Sequence, residues 1–178
     1  MQQEIETERR FLISKLPEDI NNFPSKIIED LRIETGEPHP HFRVRKDGDK
    51  MVLTKKYPKE TGLKLQMIEE TIVLTEIEYK TFQKLEGTKQ SKIRFNYIYN
   101  DRHAELDVWT NDLEGLAIIE FEFSSKEEAE TFVMPKFCLL EITDEEWLAG
   151  GMLSGKKYSD LADKLKNLGY SPINYKTR

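Results

Sequence analysis

Like charges recur two residues apart at five places in the chain: Glu4, Glu6 and Glu8; Arg43 and Arg45; Lys92 and Arg94; Glu105 and Asp107; Glu120 and Glu122. In an extended strand, residues two apart share a face. Each charged set alternates with apolar residues: Ile5 and Phe11, Phe42 and Val44, Ile93 and Phe95, Leu106 and Val108, and Ile119, Phe121 and Phe123. Arg10 ends the first set, and Lys55 adds a base on the face of Leu53, opposite Val52. Paired bases fork onto an anion with several oxygens, and paired carboxylates suit a hard divalent cation. A metal-bound polyphosphate is the simplest ligand that carries both signs.

Period-two patterning predicts strands near residues 3–13, 26–35, 40–47, 50–57, 65–74, 90–100, 102–110 and 116–124. Asp47-Gly48-Asp49 and Asn100-Asp101 read as hairpin turns, which makes their flanking strands antiparallel. Three segments read as helices. Residues 75–85 open with a Thr cap and carry Ile77, Phe82 and Leu85 on one side. Residues 125–132 follow Ser124 as N-cap, and 159–168 stop at Gly169. The class is α+β with a meandering antiparallel sheet. Such a sheet could set its charged face in water and its apolar face on a core. Two features favour a different arrangement. Each strand's charged face carries mainly one sign, and few Thr, Ser or Gln residues fill it. A sheet closed into an eight-stranded antiparallel β-barrel, with helices packed outside, would cover the apolar faces and line a tunnel with the charges. Burying like charges side by side costs several kcal/mol per ion, so the ligand must compensate them.

The 178 residues suit one domain spanning 1–178. Charged residues make up 34% and hydrophobic residues 38% of it. The net charge of -6 argues against a nucleic-acid partner, which calls for a basic footprint. A single cysteine, Cys138, forms no internal disulfide, and Met1 to Arg10 lacks a signal-peptide core. No apolar run approaches the length of a membrane span. A cytoplasmic protein without a membrane partner is the expectation, as monomer or homodimer.

The stretch Glu6-Thr7-Glu8-Arg9-Arg10-Phe11-Leu12 resembles the Glu-x-Glu-x-Lys signature of the CYTH family, the triphosphate tunnel metalloenzymes. Phe42-Arg43-Val44-Arg45, Leu53-Thr54-Lys55, Ser91-Lys92-Ile93-Arg94-Phe95, Glu105-Leu106-Asp107-Val108-Trp109 and Ile119-Glu120-Phe121-Glu122-Phe123 follow the family's motifs in order, over residues 6–157. The resemblance implies an eight-stranded tunnel that binds a small-molecule triphosphate with Mg2+ or Mn2+. It implies metal ligands at Glu6, Glu8, Glu120 and Glu122, assisted by Glu105 and Asp107. It implies phosphate-binding residues at Arg10, Arg43, Arg45, Lys55, Lys92 and Arg94. The short bacterial-type inorganic tripolyphosphatases look most similar, so hydrolysis of inorganic tripolyphosphate leads. Thiamine triphosphatase, an adenylate cyclase and a non-catalytic polyphosphate or nucleotide binder are the alternatives.

The chain departs from the family pattern at three points. Arg10 replaces a lysine, exchanging a point charge for a planar fork. The fifth strand carries adjacent acids; parity with Val73 points Glu69 inward as a metal ligand, whereas a bulge would point Glu70 inward. Glu29-Asp30-Leu31-Arg32 stands where family hydrolases have a Gln-x-Tyr stretch. Lys55 or Lys92 would act as a base if neighbouring cations depress its pKa. His39 and His41 share a face beside Arg43 but lack a third ligand. Gly150-Gly151-Met152-Leu153-Ser154-Gly155-Lys156-Lys157 lacks full P-loop spacing and reads as a mobile connection, with Lys156 or Lys157 capping the tunnel mouth.

Overall fold

The computed structural model describes residues 2–33, 41–60 and 63–175; the side chains of 2–6, 41, 59–60 and 63–67 fall outside that description. Expectations placed on His39 and on the side chains of Glu4, Glu6 and His41 therefore lie outside the described residues.

Nine strands form one antiparallel sheet: β1 (Gln2–Ile13), β2 (Ser25–Ile33), β3 (His41–Asp47), β4 (Lys50–Glu60), β5 (Leu63–Val73), β6 (Gly87–Tyr99), β7 (Arg102–Trp109), β8 (Ala117–Phe123) and β9 (Cys138–Glu141). Their order is β5-β4-β3-β2-β6-β7-β8-β1-β9, and β1 also pairs with β5. Thr7 has Gln66 of β5 on one side and Phe123 of β8 on the other. Further along, Phe11 faces Ile119 of β8 and Glu141 of β9. The sequence predicts eight of these strands. The ninth, Cys138–Glu141, is a four-residue segment without alternation, so periodicity does not reveal it.

Local chemistry sets the turns and caps. Asn100 and Asp101 both have positive φ, 49° and 61°, as a tight hairpin between β6 and β7 demands. Helix α1 (Glu76–Phe82) starts at a capping box in which Thr75 accepts from the Glu78 amide and the Glu78 carboxylate accepts from the Thr75 amide. It buries no residue, and Ile77 is 79% exposed, so the apolar stripe expected there finds no core. Helix α2 (Lys126–Thr131) is capped by Ser125, one residue later than expected; the Ser124 hydroxyl donates to Glu128 instead. Helix α3 (Gly150–Leu153) is a single turn, and α4 (Tyr158–Asn167) ends before Gly169 at φ +79°.

The alternation holds strand by strand. Phe11, Phe95, Leu106, Val108, Ile119 and Phe121 are buried on one face of the sheet, joined by Leu161 and Leu165 of α4 and Ala129 of α2. Phe11 and Phe121 meet edge to face at 5.9 Å, and Phe132 packs tilted against Phe121 at 4.7 Å. This core holds the opposite face of each strand in place.

Candidate active site

The other face lines a cavity of about 440 Å³. Its described lining carries eight acids and eight bases, so a ligand must answer both signs. The sheet order sorts most of them. Neighbouring strands β4, β3, β2 and β6 contribute Lys50 and Lys56, Arg43 and Arg45, Arg32, and Lys92 and Arg94. Neighbouring strands β7, β8, β1 and β5 contribute Glu105, Glu120 and Glu122, Glu8, and Glu69. The cavity therefore has a basic half and an acidic half. Asp30 and Asp47 are the acids set among the bases, and Arg10 is the base set among the acids.

On the basic half, Asp30 accepts from Arg45 Nε and Nη2 at 2.7 and 2.9 Å. Burial works to raise the Asp30 carboxyl, but the charge and hydrogen bonds of Arg45 outweigh it and hold it far below the usual range. Asp107 does the same for Arg94 and Lys92. Its Oδ1 accepts from Arg94 Nε at 2.7 Å, and its Oδ2 accepts from Arg94 Nη2 at 2.7 Å and from Lys92. Despite burial, the charges of Arg94 and Lys92 bring its carboxyl down to about 2. Burial and the Arg94 charge lower the Lys92 ammonium, against the opposing pull of Asp107, and Lys92 Nζ sits 5.0 Å from the Trp109 ring centre. Arg43 Nη2 donates to Glu69 at 3.3 Å. Arg43 Nε, a buried donor, has no hydrogen-bond partner among the described residues.

On the acidic half, Glu8 stands opposite Glu122, and Glu120 opposite Glu105. Lys56 donates to Glu8 at 3.2 Å. Burial works to raise Glu8, but the charges of Lys56, Arg10 and Arg94 hold it below its usual value. Glu120 goes the other way: burial first, then the Glu8 charge, raise it in spite of Lys92 and Arg94. Arg94 also pairs with Glu105 and lies 3.8 Å from Glu120, bridging the two halves.

Most of the sequence-predicted residues meet here. Glu8, Glu69, Glu105, Glu120, Glu122, Arg10, Arg43, Arg45, Lys92 and Arg94 all line the cavity, and β5 carries Glu69 inward in register with Lys56. Lys55 does not. Val52, Thr54 and Lys56 set the inward parity of β4, so Lys55 points out, 3.8 Å from Glu70 and beside the Phe42 and Tyr57 rings. The lysine that lines the cavity on this strand is its neighbour, Lys56. Asp107 does not line the cavity: it is 1% exposed, and both its oxygens accept from Lys92 and Arg94. Sequence reading missed Asp30, Arg32, Lys56 and Gln90. Parity from Arg45 across the β2–β3 register picks out Asp30, but only once that register is known.

The glycine-containing segment also differs from expectation. Gly150, Gly151 and Met152 line the cavity along with Thr143, Glu146 and Ala149. Lys156 lines a second cavity with Glu29, Tyr79 and Lys89, and Lys157 lines neither.

No protein-family model matches the chain. Over 143 residues it is 29% identical to an inorganic triphosphatase of Nitrosomonas europaea, covering 79% of this chain and 91% of that protein. The crystal structure of the inorganic triphosphatase NE1496 superposes with a TM-score of 0.63 at 23% identity, covering 85% of this chain and 95% of its own. A candidate adenylate cyclase from Bacillus halodurans superposes with a TM-score of 0.57 at 18% identity, over 100% of this chain and 97% of its own. These likenesses bear out the resemblance read from the sequence, and the two structures share this chain's fold.

Proposed function

We propose that the chain is a triphosphatase that hydrolyses inorganic tripolyphosphate inside a tunnel, with the help of a divalent cation. The observation that carries this reading is the division of one cavity into a basic and an acidic half by the order of its strands. Tripolyphosphate needs both: bases for its oxygens and a cation held by carboxylates. The similarity to an inorganic triphosphatase over most of the chain supports the same substrate class. Because β1 pairs with both β5 and β8, the sheet returns onto its first strand, which supports a tunnel closed around the ligand.

Roles follow from position. Arg43 and Arg45 lie two apart on β3, so their forks reach neighbouring phosphate oxygens, and Arg43 Nε, a buried donor, has no hydrogen-bond partner among the described residues. Lys56, Lys92 and Arg94 complete the grip. Of the two lysines weighed as a base, Lys92 lines the cavity and has a lowered pKa, so it is the one placed to exchange a proton with the attacking water. Water attacks the terminal phosphorus, the bridging P–O bond breaks, and pyrophosphate leaves with its charge held by the basic half.

The acidic half fits a hard cation. Its carboxylates are oxygen donors, and Glu120 is raised because it lies buried beside Glu8, a crowding that a cation would relieve. Among the described residues no three potential ligands converge closely enough to hold a metal alone. Mg2+ or Mn2+ would therefore draw on one or two of Glu8, Glu120 and Glu122 and complete its shell with substrate oxygens and water. When bound, the ion supplies charge neutralisation and Lewis acidity.

Phosphate release from tripolyphosphate, thiamine triphosphate and ATP, each with and without Mg2+ or Mn2+, tests the reading. Metal-dependent release fastest from tripolyphosphate is expected. Preference for thiamine triphosphate, cyclic nucleotide formation from ATP, or tight binding without turnover would each replace it with a different activity.

A further inference from the structure

Arg10 is the one base on the acidic half of the cavity, and its hydrogen bonds explain why it is there. Its guanidinium faces a strap, residues 142–155, which follows β9. Nη2 donates to the carbonyls of Ile142 and Thr143 at 3.2 and 3.4 Å, and Nη1 donates to that of Leu148 at 3.3 Å. The Arg10 amide donates to Thr143 Oγ1 at 3.1 Å, and the Ile142 amide donates to the Arg10 carbonyl at 2.8 Å. Two further cavity residues hold the same strap from the basic half: Arg32 Nη1 donates to the Gly151 carbonyl at 2.5 Å, and Gln90 Nε2 donates to that of Gly150 at 2.8 Å. Three side chains on three strands thus satisfy five strap carbonyls. Thr143, Glu146, Ala149, Gly150, Gly151 and Met152, which these bonds fix in place, form part of the cavity wall.

We infer that Arg10 is a positioning residue that seats the strap, and not a phosphate ligand as its place in the first motif implies. Two physical points carry this. A fork spans carbonyls several residues apart, which an ammonium on a single point cannot do, so arginine rather than lysine fits the task. Three of the five N–H donors of this buried guanidinium already serve strap carbonyls, and an anion that took them would leave those carbonyls unsatisfied. Gln90 extends the seating toward the bases. Its Oε1 accepts from Trp109 Nε1 at 2.9 Å, and its Nε2 lies 3.4 Å from Asp30 Oδ2, so the strap and the Asp30–Arg45 pair share one node.

The inference rests on the triphosphatase reading for its catalytic consequence, but its structural part is tested without substrate. Backbone hydrogen exchange is followed in the ligand-free wild type and in Arg10→Lys, Arg10→Met and Gln90→Leu. Exchange across residues 146–155 is expected to quicken about tenfold or more in both Arg10 variants and in Gln90→Leu, while Ile93 to Tyr97 of β6 stays protected, confirming an intact sheet. Should Arg10→Met not fold, Arg10→Lys and Gln90→Leu carry the test. With tripolyphosphate and Mg2+, Arg10→Lys should lower kcat about tenfold and leave KM within threefold, because its charge persists while the strap is loose. Unchanged strap exchange in the Arg10 variants overturns the inference, as does a tenfold rise in KM with kcat intact. If no variant or wild type releases phosphate, the triphosphatase reading fails, and the exchange result still decides the seating role.

Discussion

Asp30 and Asp107 serve the basic half from two strands. Each sits buried between cations and aims them, Asp30 at the cavity wall and Asp107 behind it. Both carboxyls are depressed below their unfolded value of 3.8, that of Asp107 to about 2. A group with a depressed folded pKa adds stability that is present above its unfolded pKa and is lost as pH falls toward the folded one. For Asp107 this linkage amounts to roughly 2 kcal/mol. The urea midpoint of the ligand-free protein should therefore hold steady from pH 6 to about pH 4 and drop below it. Asp30→Asn leaves Arg45 buried without its partner and should cost about 3 kcal/mol at pH 6, with a shallower fall below pH 4. Equal midpoints at pH 6, or parallel falls in acid, would show that the Asp30–Arg45 pair does not stabilise the fold.

Strands decide which residue of a neighbouring pair works, because a shift of one residue exchanges the two faces. In β4 the step falls between Lys55 and Lys56. Lys56→Met should weaken tripolyphosphate binding about tenfold, the scale of one lost charged hydrogen bond, whereas Lys55→Met should change it less than about twofold. Calorimetric titration of the two variants checks this, and the reverse ranking would mean that β4 turns its other face inward. Much of the fold was legible because eight strands keep strict alternation and two hairpins carry their turn residues. Lys55-Lys56 and Glu69-Glu70 were harder, since adjacent like charges give both faces the same claim. The register from Thr54 and Lys56 to Thr71 and Glu69 settles them. Strand β9 is too short to show alternation and is held by pairing with β1, and the strap is held by hydrogen bonds from Arg10, Arg32 and Gln90, far away in sequence. The apolar stripe of α1 misled, because amphipathic spacing predicts a face but not what covers it; Ile77 and Leu85 remain exposed.

At the scale of the whole molecule, an ordinary apolar core on one face of the sheet lets a charged cavity exist on the other. Few of the cavity's charges are idle. Asp30, Asp107 and Glu105 pair with bases, Lys56 pairs with Glu8, and the crowding that remains falls on Glu120, beside Glu8. Such a cavity gains most from a ligand that brings a cation to the acids and an anion to the bases together. The thermal transition with Mg2+ alone, tripolyphosphate alone, and both tests this most directly. A ligand that binds only the folded state adds about 2.7 kcal/mol at a hundredfold excess over its Kd. The account predicts that the pair raises Tm by more than the sum of the two separate shifts. A pair that shifts Tm no further than tripolyphosphate alone would contradict a site built for metal and triphosphate together.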